Sequence, residues 1–309
     1  FGDLVNARWA AEQLKQEFKK PFFMAVGIRL PHVPLYAPKR FFGRHPEAKV
    51  QLPQIIKEDL KDLPPAGLEI TRYMHTTPLN HRSVTQTDNW KNAVRAYLAC
   101  TEFVDHCVGV MLKSLDKSAH AKNTIIVLWS DHGWHLGEKQ HWHKSTLWEE
   151  STRVPLIICV PGGRPGECQQ PASLIDLYPT LTELCGVATD RKLDGVSLVA
   201  QLNNPQVKRK PVVVEFRKGN AAVRSEHWRF IRYADGSEEL YDHRQDPKEW
   251  INLQGVAGYQ PMKTRLAKWL PKRWAEPALT KKAFVFDPET FTWVNRKTGK
   301  KFWGANASR

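Results

Sequence analysis

Long apolar runs are missing from this chain of 309 residues. The longest, Ile125 to Trp129 and Pro155 to Val160, are strand-sized and far below the eighteen or more apolar residues of a membrane helix. A membrane is therefore not an expected partner. Cysteine is scarce: Cys100, Cys107, Cys159, Cys168 and Cys185 form no C-x-x-C pair, and their odd number excludes a fully paired disulfide framework. Cys100 and Cys107 lie one heptad apart in a helical pattern and Cys159 lies in an apolar strand pattern, so these three are expected in the core as small hydrophobes. Acid is also in short supply, with 32 Asp and Glu against 46 Lys and Arg and a net charge of +14. Residues 206–309 hold 22 basic and 11 acidic side chains, which puts most of the excess there. Such a face attracts polyanions through its long-range field, or is merely solvated. There is no initiating Met, and no charged segment followed by an apolar one opens the chain. The expectation is that the polypeptide starts upstream of Phe1.

What is present is an alternation of helical and strand patterns. Leu4, Ala7, Ala11, Leu14 and Phe18 mark one face of an opening helix, and Pro21 to Ile28 is a continuous apolar run of the kind found in buried parallel strands. Residues 38–87 are rich in Pro, His and Arg with little period, a long irregular excursion. From Trp90 through Val94, Tyr97, Thr101, Val104, Val108, Met111 and Leu115 the spacing is helical again. Asn123 to Trp129 and Val154 to Val160 read as strands, and Ala172 to Cys185 as a helix. The order predicts an α/β domain over 1–205 with a mainly parallel sheet flanked by helices. Short strands around 211–216, 222–224, 229–233 and 239–241 predict a small antiparallel sheet in a basic subdomain over 206–309, followed by a helix near 262–270 and a surface-wrapping or partly ordered tail from Lys281.

The chemistry concentrates in Ser130-Asp-His-Gly-Trp-His-Leu-Gly-Glu-Lys-Gln-His-Trp-His-Lys144, at the end of an expected strand, where ligands bind in open α/β sheets. Asp131 and His132 are adjacent, so in extended chain they point apart and converge on one ion only if the backbone bends, which Gly133 permits. A carboxylate oxygen favours a hard divalent cation such as calcium or magnesium. Asp-His-Gly alone reads more readily as a strand-ending turn in which Asp caps backbone amides.

The wider window is more specific. Ser130-Asp-His-Gly133, Leu136-Gly-Glu138, Trp142-His-Lys144, Thr152-Arg-Val-Pro-Leu156 and Pro161-Gly162 together resemble the sulfatase family of the alkaline phosphatase superfamily, and within it the iduronate-2-sulfatase-like members. Pro31-His32, Asp176-Leu-Tyr-Pro-Thr-Leu181, Leu193-Asp-Gly195 and Glu239-Leu-Tyr-Asp242 extend the resemblance over nearly the whole chain. It implies an alkaline phosphatase-like α/β fold, Asp131 and His132 as ligands of a calcium ion, and Lys144 and His32 in contact with sulfate. The implied reaction is hydrolysis of a sulfate ester, on a sulfated glycan or a small molecule, in a periplasmic, extracellular or lysosomal setting. The sequence departs from the family twice. Leu30 stands where relatives often carry Lys. The Cys-x-Pro-Ser-Arg motif that yields the formylglycine nucleophile is absent, as is the early acidic pair; Cys159-Val-Pro161 continues with Gly162 and Gly163 instead of Ser and Arg. The missing N-terminal half of the same protein is therefore an expected partner, and residues 1–309 alone are expected to be inactive. A phosphonate monoester or phosphodiester hydrolase is the nearest alternative. A nucleic-acid-binding protein, with Trp228, Trp250, Trp269 and Trp274 stacking on bases, is a distant one, and nucleic acid is not an expected partner.

Overall fold

A computed structural model of the chain describes residues 1–72, 78–276, 284–287, 289–290 and 292–303. The opening helix α1 (Gly2–Gln13) buries Ala7, Ala10 and Ala11, the face its spacing predicts. Small side chains let it lie close against the long helix, and Ala7 joins Phe41, Ala99, Phe103 and Cys107 in one core cluster. Within the 38–87 excursion, three short helices interrupt the irregular chain: α2 (Lys39–Arg44), α3 (Pro65–Arg72) and α4 (His81–Gln86). The last begins with a reciprocal cap in which Asn80 Oδ1 accepts from Ser83 N (2.9 Å) and Ser83 Oγ accepts from Asn80 N (3.0 Å).

The long helix is α5 (Trp90–Asp116). Its deepest stripe runs through Val94, Ala99, Cys100, Phe103, Cys107 and Leu115; Val94 and Leu115 coincide with the stripe read from sequence, while Cys100, Phe103 and Cys107 each fall one position before the residues expected and Thr101 is exposed. Phe103 has no exposed surface, and burial of a side chain of that size contributes ~1.5–3 kcal/mol. Burial also pushes the Cys100 and Cys107 thiols up to about 11, so both remain protonated hydrophobes.

Strand β1 (Ile126–Trp129) leads into β2 (His135–Leu136) and β3 (Trp142–His143), the two arms of a tight ribbon, then into a single turn of helix, α6 (Glu149–Thr152), and β4 (Leu156–Cys159). β1 and β4 pair antiparallel, Ile126 opposite Cys159 and Trp129 opposite Leu156, so the direction of this pair differs from the parallel one expected. Pro21 to Ile28 forms no ladder with a described strand. It alternates half-buried and exposed residues, with Phe23 at 84% exposure, and is held by Asn6 Nδ2 donating to Gly27 O and by Asp3 accepting from Arg29 N and Leu30 N. Cys159 is exposed as well, contrary to the core position expected, because both faces of the β1–β4 pair carry open apolar surface: Leu128, Trp129 and Ile157 are 38%, 46% and 51% exposed.

After α7 (Leu177–Leu184) and α8 (Val199–Asn203) come β5 (Val212–Glu215), β6 (Ala221–Arg224), β7 (Trp228–Arg232) and β8 (Glu238–Asp242), an antiparallel meander in sequence order, as expected. One face packs on α9 (Gln260–Ala267) through Val223, Phe230, Leu240 and Leu266. The other face packs Ala222, Ile231 and Tyr241 against Leu63, Leu147 and Trp148. Where a wrapping tail was expected, the described residues of 284–303 form a three-stranded antiparallel sheet, β9 (Phe284–Asp287), β10 (Thr292–Asn295) and β11 (Lys301–Trp303). No helix among the described residues is long and apolar enough to cross a membrane.

Candidate active site

The chain bends after β1 because Gly133 lets two backbones meet. Gly133 N donates to Ser151 O at 2.8 Å, and a Cβ there would sit 2.0 Å from Glu150 O. Glycine is thus required by close approach rather than by an unusual φ. The bend turns Asp131 and His132 toward each other, with Asp131 Oδ2 3.5 Å from His132 Nε2. Asp131 also accepts from His132 N through Oδ1 at 3.1 Å, so the turn-capping role and the convergent pair coexist.

His132 Nδ1 lies 2.8 Å from Gly133 O. A carbonyl only accepts, so Nδ1 carries the proton and Nε2 presents a lone pair. That lone pair faces Lys144 Nζ at 2.9 Å. His32 is fixed the same way, its Nδ1 donating to Val33 O at 2.6 Å, which leaves Nε2 as the end able to exchange a proton.

Lys144 is delivered by a strained ribbon. His143 (φ 75) and Ser145 (φ 77) flank it in the left-handed region, as do Lys139 (φ 53) and Gln140 (φ 49) earlier in the loop. Non-glycine residues there persist only where surrounding contacts over-determine them, and they cluster at functional sites. The contacts are present: buried Lys139 donates to Asp59 Oδ1 (2.6 Å) and to Glu249 O, and its ammonium lies over the rings of Trp148 and Tyr241. Trp142 and Trp148 are each 1% exposed.

Lys144 and His32 line one cleft of about 540 Å³, with Pro34, Asn92, Trp134 and His143 among its walls. Burial, and next the nearby charges of His141, Lys144 and His32, hold the His143 imidazole below its usual pKa despite its bond to Leu79 O. It therefore stays neutral beside Lys144. Trp134 stacks near His132 (centroids 6.3 Å) and meets His143 edge-on (4.8 Å). Of the four residues singled out from sequence, Lys144 and His32 share the cleft, His132 is joined to it through Lys144, and Asp131, its side chain 82% exposed, stands on the outer side of His132. Trp134 and His143 lay inside the motif window without being assigned a role, and Asn92 carried no sequence signal of its own.

For a divalent cation, the His132 tautomer makes Nε2 the ligating end, available once Lys144 Nζ moves off it, and two ligands near 90° on a calcium ion with bonds of 2.3–2.6 Å sit roughly 3.4 Å apart, close to the Asp131–His132 separation. The donors present therefore fit. A second grouping of ligand atoms, Glu149, His243 and Glu249, lies elsewhere. Arg229 Nε donates to Glu249 at 2.5 Å, and Arg229 and Arg224 both donate to Glu149, so positive charge already fills that centre. It is an ion-pair network.

Residues 5–187 match the Sulfatase family model, and residues 137–276 match the model for the C-terminal part of N-sulphoglucosamine sulphohydrolase. A "Sulfatase" of Formosa agariphila is 38% identical over 309 residues, covering 98% of this chain and 61% of that protein. Human iduronate 2-sulfatase is 34% identical over 170 residues, 49% of this chain and 29% of its own length. The chain thus spans about three fifths or less of these relatives. Among solved structures, BT4656 in complex with its substrate D-glucosamine-2-N,6-O-disulfate superposes with TM-score 0.68 at 22% identity over 87% of this chain and 68% of its own. The phosphonate monoester hydrolase of Agrobacterium radiobacter gives TM-score 0.71 at 20% identity over 96% of this chain and 64% of its own. At such identities both show the shared α/β fold alone.

Proposed function

The chain belongs to the sulfatase family, and we propose that it supplies one half of a sulfuric ester hydrolase site, acting on a sulfated glycan or a small sulfate ester. The observation that carries this reading is the juxtaposition of Lys144 Nζ with His132 Nε2 at the mouth of the cleft that also holds His32. In this reading Asp131 and His132 hold a calcium ion, which when bound polarises the sulfate oxygens. Lys144 donates to a sulfate oxygen. His32, anchored through Nδ1, carries a proton on Nε2 to the departing alcohol oxygen. The nucleophile, a formylglycine in this family, would come from a further part of the same protein. Cys159 does not supply it: it ends β4 opposite Ile126 and is followed by Val160-Pro161-Gly162-Gly163. Phe23, Trp129, Ile157 and Tyr178 are exposed apolar side chains against which that further part could pack.

Two expected outcomes test this. Purified residues 1–309 release no sulfate from an aryl sulfate, whereas the whole protein does. Sulfate release by 1–309 that disappears in Asp131→Ala would show that the site is complete here and sink the half-site reading. In the whole protein, Asp131→Ala weakens calcium binding measured by isothermal titration, since a charged ligand is lost. Unchanged affinity would remove Asp131 from the metal site. Turnover of phenyl phosphonate in preference to aryl sulfate would favour the phosphonate hydrolase reading.

A further inference from the structure

His141 sits three residues before Lys144 with no exposed surface. Its Nδ1 lies 2.8 Å from Thr71 O and its Nε2 3.0 Å from Lys144 O. Both partners are carbonyl oxygens, which only accept. A neutral imidazole has one N–H and would turn a lone pair on one of them; only the doubly protonated ring donates to both. Thr71 lies in the last turn of α3, where unpaired carbonyls and the helix dipole favour a cation.

The charged and titratable groups around the ring are accounted for among the described residues. The His135 ring meets it edge-on at 5.2 Å and is neutral, held well below its usual pKa by burial and next by the charge of His141. Lys139, on the same loop, is paired with Asp59. His143 is neutral, and Lys144 directs its ammonium away to His132.

We propose that His141 is a positively charged positioning residue that fixes the main chain of Lys144 to the end of α3, and that its deprotonation at rising pH releases Lys144 from the geometry needed to meet the sulfate. This rests on the sulfatase reading for its catalytic consequence, but not for the charge on the ring. Losing the proton costs one of the two carbonyl bonds. Lys144 then keeps its own charge but loses its placement, so turnover falls on the alkaline side without any change at the sulfate-contacting groups themselves.

The test uses the whole protein labelled with ¹⁵N-histidine, with His141→Gln to assign the resonances. Both His141 nitrogens should still carry protons at roughly pH 7 to 8, above the range in which an exposed imidazole stays charged. His141→Gln, which keeps a donor but cannot titrate, should retain the thermal midpoint, lower kcat about tenfold with KM nearly unchanged, and lose the alkaline limb that His141 imposes; misplacement by 1 Å can lower rates about a hundredfold. One unprotonated His141 nitrogen throughout that range would overturn the proposal, as would a wild-type pH profile and kcat in His141→Gln. Should the whole protein turn over no sulfate ester, the sulfatase reading fails while the nitrogen spectra still decide the state of His141.

Discussion

Lys144→Ala is expected to lower kcat of the whole enzyme by roughly a hundredfold or more, the loss seen when one preorganised electrostatic donor is removed. The expectation comes from where charge develops. A sulfate monoester carries one negative charge and the product sulfate two, so an ammonium against a sulfate oxygen is held more tightly as the reaction proceeds, and its loss falls on kcat more than on KM. The ribbon aims the ammonium: its backbone is fixed by strained residues on both sides and by His141, and it meets His132 Nε2 at 2.9 Å beside the cleft that Lys144 lines. Calcium affinity and the melting temperature should survive, since Asp131 and His132 remain and the ribbon is anchored by Lys139, Trp142 and Trp148. Arg at the same position should restore little, because a planar fork does not replace a compact ammonium at a site built around one. Near-normal turnover in Lys144→Ala with intact calcium binding would return Lys144 to a surface lysine lying on its neighbours, and leave His32 as the sole group here in contact with sulfate.

Much of this site was legible because its chemistry is local in sequence. Asp131, His132 and Lys144 stand within one loop, and the loop falls where a strand ends, so motif and context coincide. The C-terminal meander was legible for a similar reason: short β-branched and aromatic runs between turns leave few alternatives. Pro21 to Ile28 misled because an apolar run signals burial without naming the partner; this segment is extended but finds no described strand to pair with. Cys159 misled by the same route, since both faces of its strand pair carry open apolar surface. The irregular excursion hid most of all. Asp59, Thr71 and Leu79 come from residues with no period, yet they receive Lys139, His141 and His143 respectively, contacts 64 to 80 residues apart in the chain. Backbone carbonyls and a solitary Asp carry no pattern that could announce such pairings. The signal available was the density of His and Lys in 135–144, too many for a turn and unexplained by a metal pair alone.

The second large effect is expected at Arg229, far from the cleft in sequence but joined to its loop. Its side chain is 1% exposed, with Nε donating to Glu249 Oε1 at 2.5 Å, Nη2 to Glu149, and Nη1 to Leu147 O at 2.9 Å, three residues beyond Lys144. Burial alone would raise the Glu149 pKa, but Arg229 and then Arg224 outweigh it and pull it down to about 2; Glu249 is likewise lowered against its burial by Arg229 and His243. Arg229→Ala leaves the buried Glu249 and the half-buried Glu149 facing each other without the cation they share, with only His243 and Arg224 still on them, and breaking such a pair from one side costs about 3–5 kcal/mol. The chemical denaturation midpoint at neutral pH should drop accordingly. The pH dependence should also change sign. In the wild type, folded pKa values below the unfolded ones give stability that is present above about pH 4.5 and is lost as pH falls toward 2. In Arg229→Ala, carboxylates now destabilised by burial and mutual repulsion bind protons more readily than in the unfolded chain, so mild acid should narrow the gap to wild type. Replacing all three with neutral residues of similar volume, Arg229→Met with Glu149→Gln and Glu249→Gln, should recover part of the loss, because no carboxylate is left buried without its cation, while Arg224 loses its partner at a partly exposed position. A wild-type midpoint in Arg229→Ala at pH 7, or a gap that widens on acidification, would show that these charges are solvated or otherwise compensated, and that the meander does not hold the Lys144 loop through Arg229.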